Sequence, residues 1–322
     1  MLELNLMLVL TQFIFTAQMS TKHHLMEKNL VICHGDGDGL IGAAVAIKDF
    51  CLKMEETEIV ITQPFLLDKV VVRDQVMAIF VIDIAVNNRD VDMTINFVRK
   101  YEDRIVSWID HHQGTDVLEN ILGITLISGD KEPSCPSLMK NAGFVVSDDW
   151  LRTANACDRP TDFAPTELSK RYNKALKVSL IEAEEGNRIA IDQVQRAFLF
   201  ELLDGEKWQL ITDYGKRYQA ILTATKKAAE SFTELLPGVG IVLLGDEKVD
   251  KTVVCTEGYK KYPVVVIQFH SLKDGEPVTM VATNNKEVNL VNIFRLPSGP
   301  PFRVNLPGNL KKIKELIIDK LS

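Results

Sequence analysis

The sequence predicts an α/β chain: a mostly parallel sheet flanked by helices, then a helical linker, then a smaller α+β C-terminal domain. Three observations carry this. Short apolar runs alternate with helical patterns through the first half, as in βαβ units. The stretch that follows reads as helix almost without interruption. The last part returns to short β-branched runs closed by an amphipathic helix. With 322 residues, the chain is long enough for two domains with a sizeable core.

Taken in order, the first twenty residues are apolar, but they hold Glu3 and no Lys or Arg. A signal peptide wants a positive start, and the run is short for a spanning helix. Residues 1–25 read as an over-long or loosely attached segment, with Met19 and Met26 as alternative starts. Leu30-Val31-Ile32-Cys33 reads as a buried strand. It ends in His34-Gly35-Asp36-Gly37-Asp38-Gly39, and a helix is predicted over Leu40–Phe50. The glycines let the backbone fold tightly enough to aim one imidazole and two carboxylates at one point. Carboxylates that close need a counter-charge, and a divalent cation is one answer. An acidic turn with no ligand is an equal reading of this stretch alone.

Strands follow at Glu58–Thr62, Met77–Ile82, Arg104–Ile109 and Ile124–Ile127, and a helix at Asp90–Tyr101. The second of these runs ends at Asp83 and the third at Asp110-His111-His112. Parallel strands share one C-terminal edge, where open α/β sheets bind ligands. Three such strand ends deliver their polar groups to one crevice. A helix carrying Trp150, Leu151 and Ala154 then leads to Ala156-Cys157-Asp158-Arg159.

These four stretches resemble the motifs of the DHH phosphoesterase superfamily. That group includes RecJ-type nucleases, oligoribonucleases, exopolyphosphatases and one class of inorganic pyrophosphatase. The resemblance is to RecJ-like and oligoribonuclease-type members and covers roughly the first half of the chain. It implies two divalent metals, usually Mn²⁺ with Mg²⁺ as the alternative, and hydrolysis of a phosphate ester or anhydride. Carried over by position, His34 and Asp36 would hold the first ion. Asp38, His111 and Asp158 would hold the second, and Asp83 would bridge them. Asp110 would orient His111, and His112 would face the substrate phosphate or leaving oxygen. Arg159 would add positive charge toward the phosphate, with a surface salt bridge as the other reading. His34 stands two residues before Asp36, which resembles the nuclease-like and archaeal-type form. Gly42 stands where such proteins often carry Ser.

Downstream, helices are predicted over Thr166–Val178, Ile189–Leu203 and Glu206–Leu236, with Pro237-Gly238 as the stop. The expected organisation is a DHH catalytic domain at 26–205, a helical linker at 206–236 and a small substrate-binding domain at 237–322. In that last domain, strands are expected at Val239–Leu244, Thr252–Cys255, Val264–His270 and Val278–Ala282. Helices are expected at Val288–Phe294 and Leu310–Leu321. The Gly-rich turn with histidine usual in the associated C-terminal domain is missing, so the resemblance there is degenerate. Leu296–Arg303 occupies its place. Arg295, Arg303, Ser298 and Gly299 are the candidate phosphate contacts, with plain surface charge as the alternative for the arginines.

Composition narrows the partners. The net charge of −7 argues against a dedicated binder of long duplex nucleic acid. Five scattered cysteines with no CxxC pair fit reduced thiols in a cytoplasm. The expectation is a phosphodiesterase for a short oligonucleotide or small phosphorylated substrate, with no membrane partner and scope for a homodimer. A non-catalytic metal- or nucleotide-binding module and a phosphoanhydride hydrolase remain the alternatives.

Overall fold

The computed structural model describes residues 28–121, 124–184, 189–204, 209–244, 248–270, 276–296, 301–308 and 310–321. The N-terminal segment 1–25 lies outside the described residues. The chain forms two compact units, one from the chain up to Asn173 with Asp192–Ile211, the other from Lys174–Ile191 with Thr212–Ser322. The division falls within three helices.

The first unit is built in the expected alternation. It comprises β1 (Lys28–His34), α1 (Gly37–Asp49), β2 (Thr57–Thr62), β3 (Val76–Ile82), α2 (Val91–Tyr101), β4 (Ile105–Asp110) and β5 (Thr125–Ser128). Then come α3 (Cys135–Asn141) and α4 (Asp148–Asp158), followed by three helices that the division cuts, α5 (Glu167–Glu184), α6 (Ile189–Asp204) and α7 (Gln209–Glu230). The strands form one sheet in the order β2-β1-β3-β4-β5, every pairing parallel. Both faces of the inner strands are covered, so they read as continuous apolar runs and not as alternations. Leu30, Ile32, Val81 and Trp108 share one core on one face. The Trp108 indole donates to the Ile84 carbonyl at 3.0 Å, which satisfies the one polar atom of that ring.

Helix α1 starts three residues before the predicted Leu40. Asp36 is its N-cap, and the carboxylate accepts from the Gly39 amide at 3.2 Å, which satisfies an otherwise orphaned donor. Gly42 has a packing reason. A Cβ there would lie 2.9 Å from Ile82 Cγ2 and 3.3 Å from Cys135 Sγ, so a side chain would push α1 off β3.

The second unit carries a mixed sheet, order β10-β9-β8-β7-β6, in which only β7 and β8 pair in parallel. Its strands are β6 (Thr233–Leu236), β7 (Val239–Leu243), β8 (Val264–His270), β9 (Pro277–Thr283) and β10 (Arg303–Pro307). Its further helices are α8 (Lys251–Gly258), α9 (Leu290–Ile293) and α10 (Leu310–Leu321). Three expectations are corrected here. The long helix ends at Glu230, and Thr233–Leu236 is a strand. Pro237-Gly238 is the turn of the β6–β7 hairpin, with Gly238 at φ 78°. Thr252–Cys255 lies in α8, because Asp250 caps it by accepting from the Thr252 and Val253 amides. Among the described residues, no helix is long and apolar enough to cross a membrane.

Candidate metal centre

The C-terminal ends of β1, β3 and β4 lie side by side in the parallel sheet, and each ends in metal-ligand chemistry. The pairing puts Cys33 beside Ile82 and Ile82 beside Ile109. The next residues, His34, Asp83 and Asp110, therefore leave the sheet at one edge. β1 is where strand order turns back on itself, between β2 and β3, the usual position of a ligand crevice. Asp158, the last residue of α4, completes the set.

The side chains converge. His34 Nδ1 is 2.6 Å from Asp36 Oδ2 and 3.7 Å from Asp83 Oδ2. His111 Nε2 is 3.4 Å from both Asp38 Oδ2 and Asp83 Oδ1. Three ligand groups result, each with its atoms within 4.8 Å of one another: His34, Asp36 and Asp83; Asp38, His111 and Asp158; and Asp83, His111 and His112. The first two are the sets that the motif positions imply, and Asp83 lies against both histidines.

Asp38, Asp83 and His111 are buried, yet Asp38 Oδ1, both Asp83 oxygens and His111 Nε2 have no hydrogen-bond partner among the described residues. Buried acceptors in that state are costly. Four of them aimed at one small space fit divalent cations. The backbone also carries strain, for Asp83 sits at φ 58°, a region seldom used by residues other than Gly, Asn and Asp. Gly39 is required by closeness. A Cβ there would stand 2.8 Å from the His34 carbonyl oxygen and 2.9 Å from Asp83 Oδ2.

Charge follows from this crowding. Burial, then the charge of Asp36, pushes the Asp38 carboxyl up to about 7. Burial and the neighbouring carboxylates raise Asp83 well above the ordinary aspartate range. Burial alone would depress His34, but the bond to Asp36, that carboxylate's charge and the bond to Gln63 together outweigh it, and its pKa stands at about 9. For Asp36, burial is outweighed by the His34 bond and charge together with the bonds from Asp38 and the Gly39 amide, and its carboxyl is held low. The metal-free site thus retains protons that a cation would displace.

Several supporting groups carry no motif. His111 Nδ1 donates to the Glu132 carbonyl at 3.2 Å. A carbonyl only accepts, so Nδ1 carries the proton and Nε2 keeps its lone pair for a metal. Asp110, expected to orient His111, instead accepts from His112 Nδ1 at 2.7 Å and from the Thr115 hydroxyl. His34 Nε2 meets Gln63 Oε1 at 2.9 Å. The Cys135 amide donates to Asp38 Oδ2 at 3.2 Å. Tyr172 and Gln195 both donate to the Gly35 carbonyl, at 2.6 and 2.8 Å, and fix the turn between His34 and Asp36. Gln63 follows β2 at the same sheet edge, and that placement is the one signal that could have found it.

Arg159 Nη2 donates to the Glu132 carbonyl at 3.0 Å, and its Nε is 3.8 Å from Asp158 Oδ2. In the second unit, Arg295 and Arg303 are exposed, and Arg295 has φ 52°. Ser298 and Gly299 lie outside the described residues.

No family model matches the chain, and no curated protein matches it. Solved structures do. A pGpG-specific phosphodiesterase, PggH from Vibrio cholerae, is 13% identical, with a TM-score of 0.60, over 91% of this chain and 99% of that one. The exonuclease RecJ bound to manganese is 12% identical, with a TM-score of 0.51, over 91% of this chain and 89% of that one. RecJ from Thermus thermophilus in complex with Mn²⁺ gives the same identity and TM-score, over 51% of that chain. These likenesses establish that the chain shares the fold of the PggH phosphodiesterase and of RecJ.

Proposed function

We propose that the chain is a divalent-metal-dependent phosphodiesterase acting on a small nucleotide or the end of a short oligonucleotide. The observation that carries this is the set of buried acceptors on Asp38, Asp83 and His111 that lack partners among the described residues. His34, Asp36 and Asp83 would hold one ion and Asp38, His111 and Asp158 the other, with Asp83 shared. Carboxylate oxygen mixed with imidazole suits Mn²⁺ or Mg²⁺ better than thiophilic metals. Bound ions would lower the pKa of water and offset charge on the phosphate.

The chain's own residues supply the rest. His112 is held by Asp110 through Nδ1, and that bond raises its pKa. Its Nε2 is then the nitrogen that can pass a proton to the departing oxygen. The Thr115 hydroxyl and the imidazole together fix Asp110, so the ring does not swing. Within the second unit, the exposed Arg295 and Arg303 are the side chains we assign to phosphate binding. Full-length correspondence with a pGpG-specific phosphodiesterase supports a substrate of dinucleotide size.

The test is Mn²⁺-supplemented hydrolysis across linear dinucleotides, short RNA and DNA, cyclic dinucleotides, pyrophosphate and polyphosphate. Chelator-sensitive cleavage of the linear dinucleotides is expected. Cleavage of pyrophosphate alone would make the protein an anhydride hydrolase. Metal binding with no hydrolysis of any member would make it a binding module.

A further inference from the structure

The ligand group of Asp38, His111 and Asp158 depends on a short stretch that contributes no ligand. In Glu132–Cys135, the Glu132 carbonyl accepts from His111 and the Cys135 amide donates to Asp38. Two of the three ligands are therefore oriented by backbone atoms three residues apart. The stretch connects β5 to α3, so it needs something to hold it.

Helix α4 holds it at two points. Asn155 Oδ1 accepts from the Ser134 hydroxyl at 2.6 Å and from the Ser137 hydroxyl at 2.8 Å. Arg159 Nη2 donates to the Glu132 carbonyl at 3.0 Å. Asn155 and Arg159 are four residues apart and share one side of the α4 C-terminus. A carbonyl oxygen has two lone pairs, so Glu132 accepts from Arg159 and His111 together. Arg159 also adjoins Asp158, the third ligand, with Nε 3.8 Å from its carboxylate.

We infer that Arg159 is a positioning residue for the Asp38–His111–Asp158 group, acting through the shared Glu132 carbonyl and not as a phosphate contact. This rests on the metal-dependent reading above. Removing the guanidinium leaves the carbonyl anchored by His111 alone, and the ring and the stretch can then shift together. Outer partners of metal ligands typically contribute 10–100-fold to metal affinity.

The experiment is a titration of the whole metal-free chain with Mn²⁺ alone, read by calorimetry and by electron paramagnetic resonance. Wild type is compared with Arg159→Ala and Arg159→Lys. Two sites are expected in wild type, with one weakened about tenfold or more in Arg159→Ala and the other unchanged. Arg159→Lys, which keeps the charge but not the planar fork, should fall between them. Turnover of the best substrate by Arg159→Ala should recover in excess Mn²⁺ with KM unaltered. Two unaltered Mn²⁺ sites with a raised KM would overturn the proposal and make Arg159 a phosphate contact. Equal weakening of both sites would overturn it in favour of a general folding role. A wild-type chain that binds no Mn²⁺ would overturn the metal-dependent reading itself, and this proposal with it.

Discussion

Replacing Asp83 with Asn should move stability in opposite directions with and without metal. The side chains are nearly the same shape, and Asn tolerates the left-handed backbone at φ 58° as well as Asp does, so packing and strain stay constant. What changes is charge. Asp83 is 1% exposed, its oxygens accept no hydrogen bond among the described residues, and it lies among Asp36, Asp38, Asp110 and Asp158. There the carboxyl either carries charge among other carboxylates or holds a proton above its ordinary range, and either state costs roughly 1–3 kcal/mol. In chelator at pH 8, Asp83→Asn should gain about 2 kcal/mol. For a unit of this size that is roughly 4–8 °C in melting temperature. In saturating Mn²⁺ the order should reverse, because wild type gains two ions and the variant loses the shared ligand. Differential scanning fluorimetry of both proteins, with EDTA and with Mn²⁺, reads all four values. A variant less stable than wild type in EDTA would refute the reasoning, since the carboxylate would then have a stabilising partner. Equal Mn²⁺ shifts in both proteins would refute the shared-ligand role.

Three further outcomes follow from the same geometry. Metal-free protein should lose stability as pH rises from about 4 to 9, because Asp38 (about 7) and His34 (about 9) both bind their protons more tightly folded than unfolded; Asp36, held low, opposes this only below about pH 4, and urea melts in EDTA from pH 4 to 9 measure the slope. Gly39→Ala should weaken Mn²⁺ binding although Ala favours helix by about 1 kcal/mol, since its Cβ would press on the His34 carbonyl and Asp83; unaltered calorimetric affinity would contradict that crowding. His112→Gln should lower kcat by about 10²–10⁴-fold with two Mn²⁺ still bound, and turnover within threefold of wild type would remove His112 from proton transfer.

The candidate ligand cluster was legible because each member lies within a few residues of a strand or helix end, and a parallel sheet gathers such ends by its topology. His34, Asp83 and His111 need no knowledge of the rest of the chain beyond strand direction. Their supports were not legible for the opposite reason. Glu132 acts through its carbonyl, which every residue possesses, and Thr115 acts through a loop whose path is set by the fold. Asp110 was paired with the wrong histidine because sequence adjacency to His111 says nothing about which ring turns back toward it. Thr252–Cys255 looked like a strand from its β-branched residues. The cap at Asp250, held by Lys177 and Tyr218 at 2.8 and 2.9 Å, decides for helix, and those partners are distant in sequence. Strand β10 was missed because five residues beside a proline-rich stretch carry little periodicity.

The order β2-β1-β3-β4-β5 places the ligand-bearing strands on the inside of the sheet and leaves β2 and β5 at the margins. Marginal strands are the first to open in native-state fluctuations, and inner ones exchange their amides only near global unfolding. Opening of β2 would release Gln63 from His34, and opening of β5 would loosen the approach to Glu132, while His34, Asp83 and His111 stay anchored at the ends of inner strands. The centre is thus graded: a durable set of donors inside, and adjustable restraints at the rim. Such an arrangement lets the rim restraints change with little risk to the candidate donors.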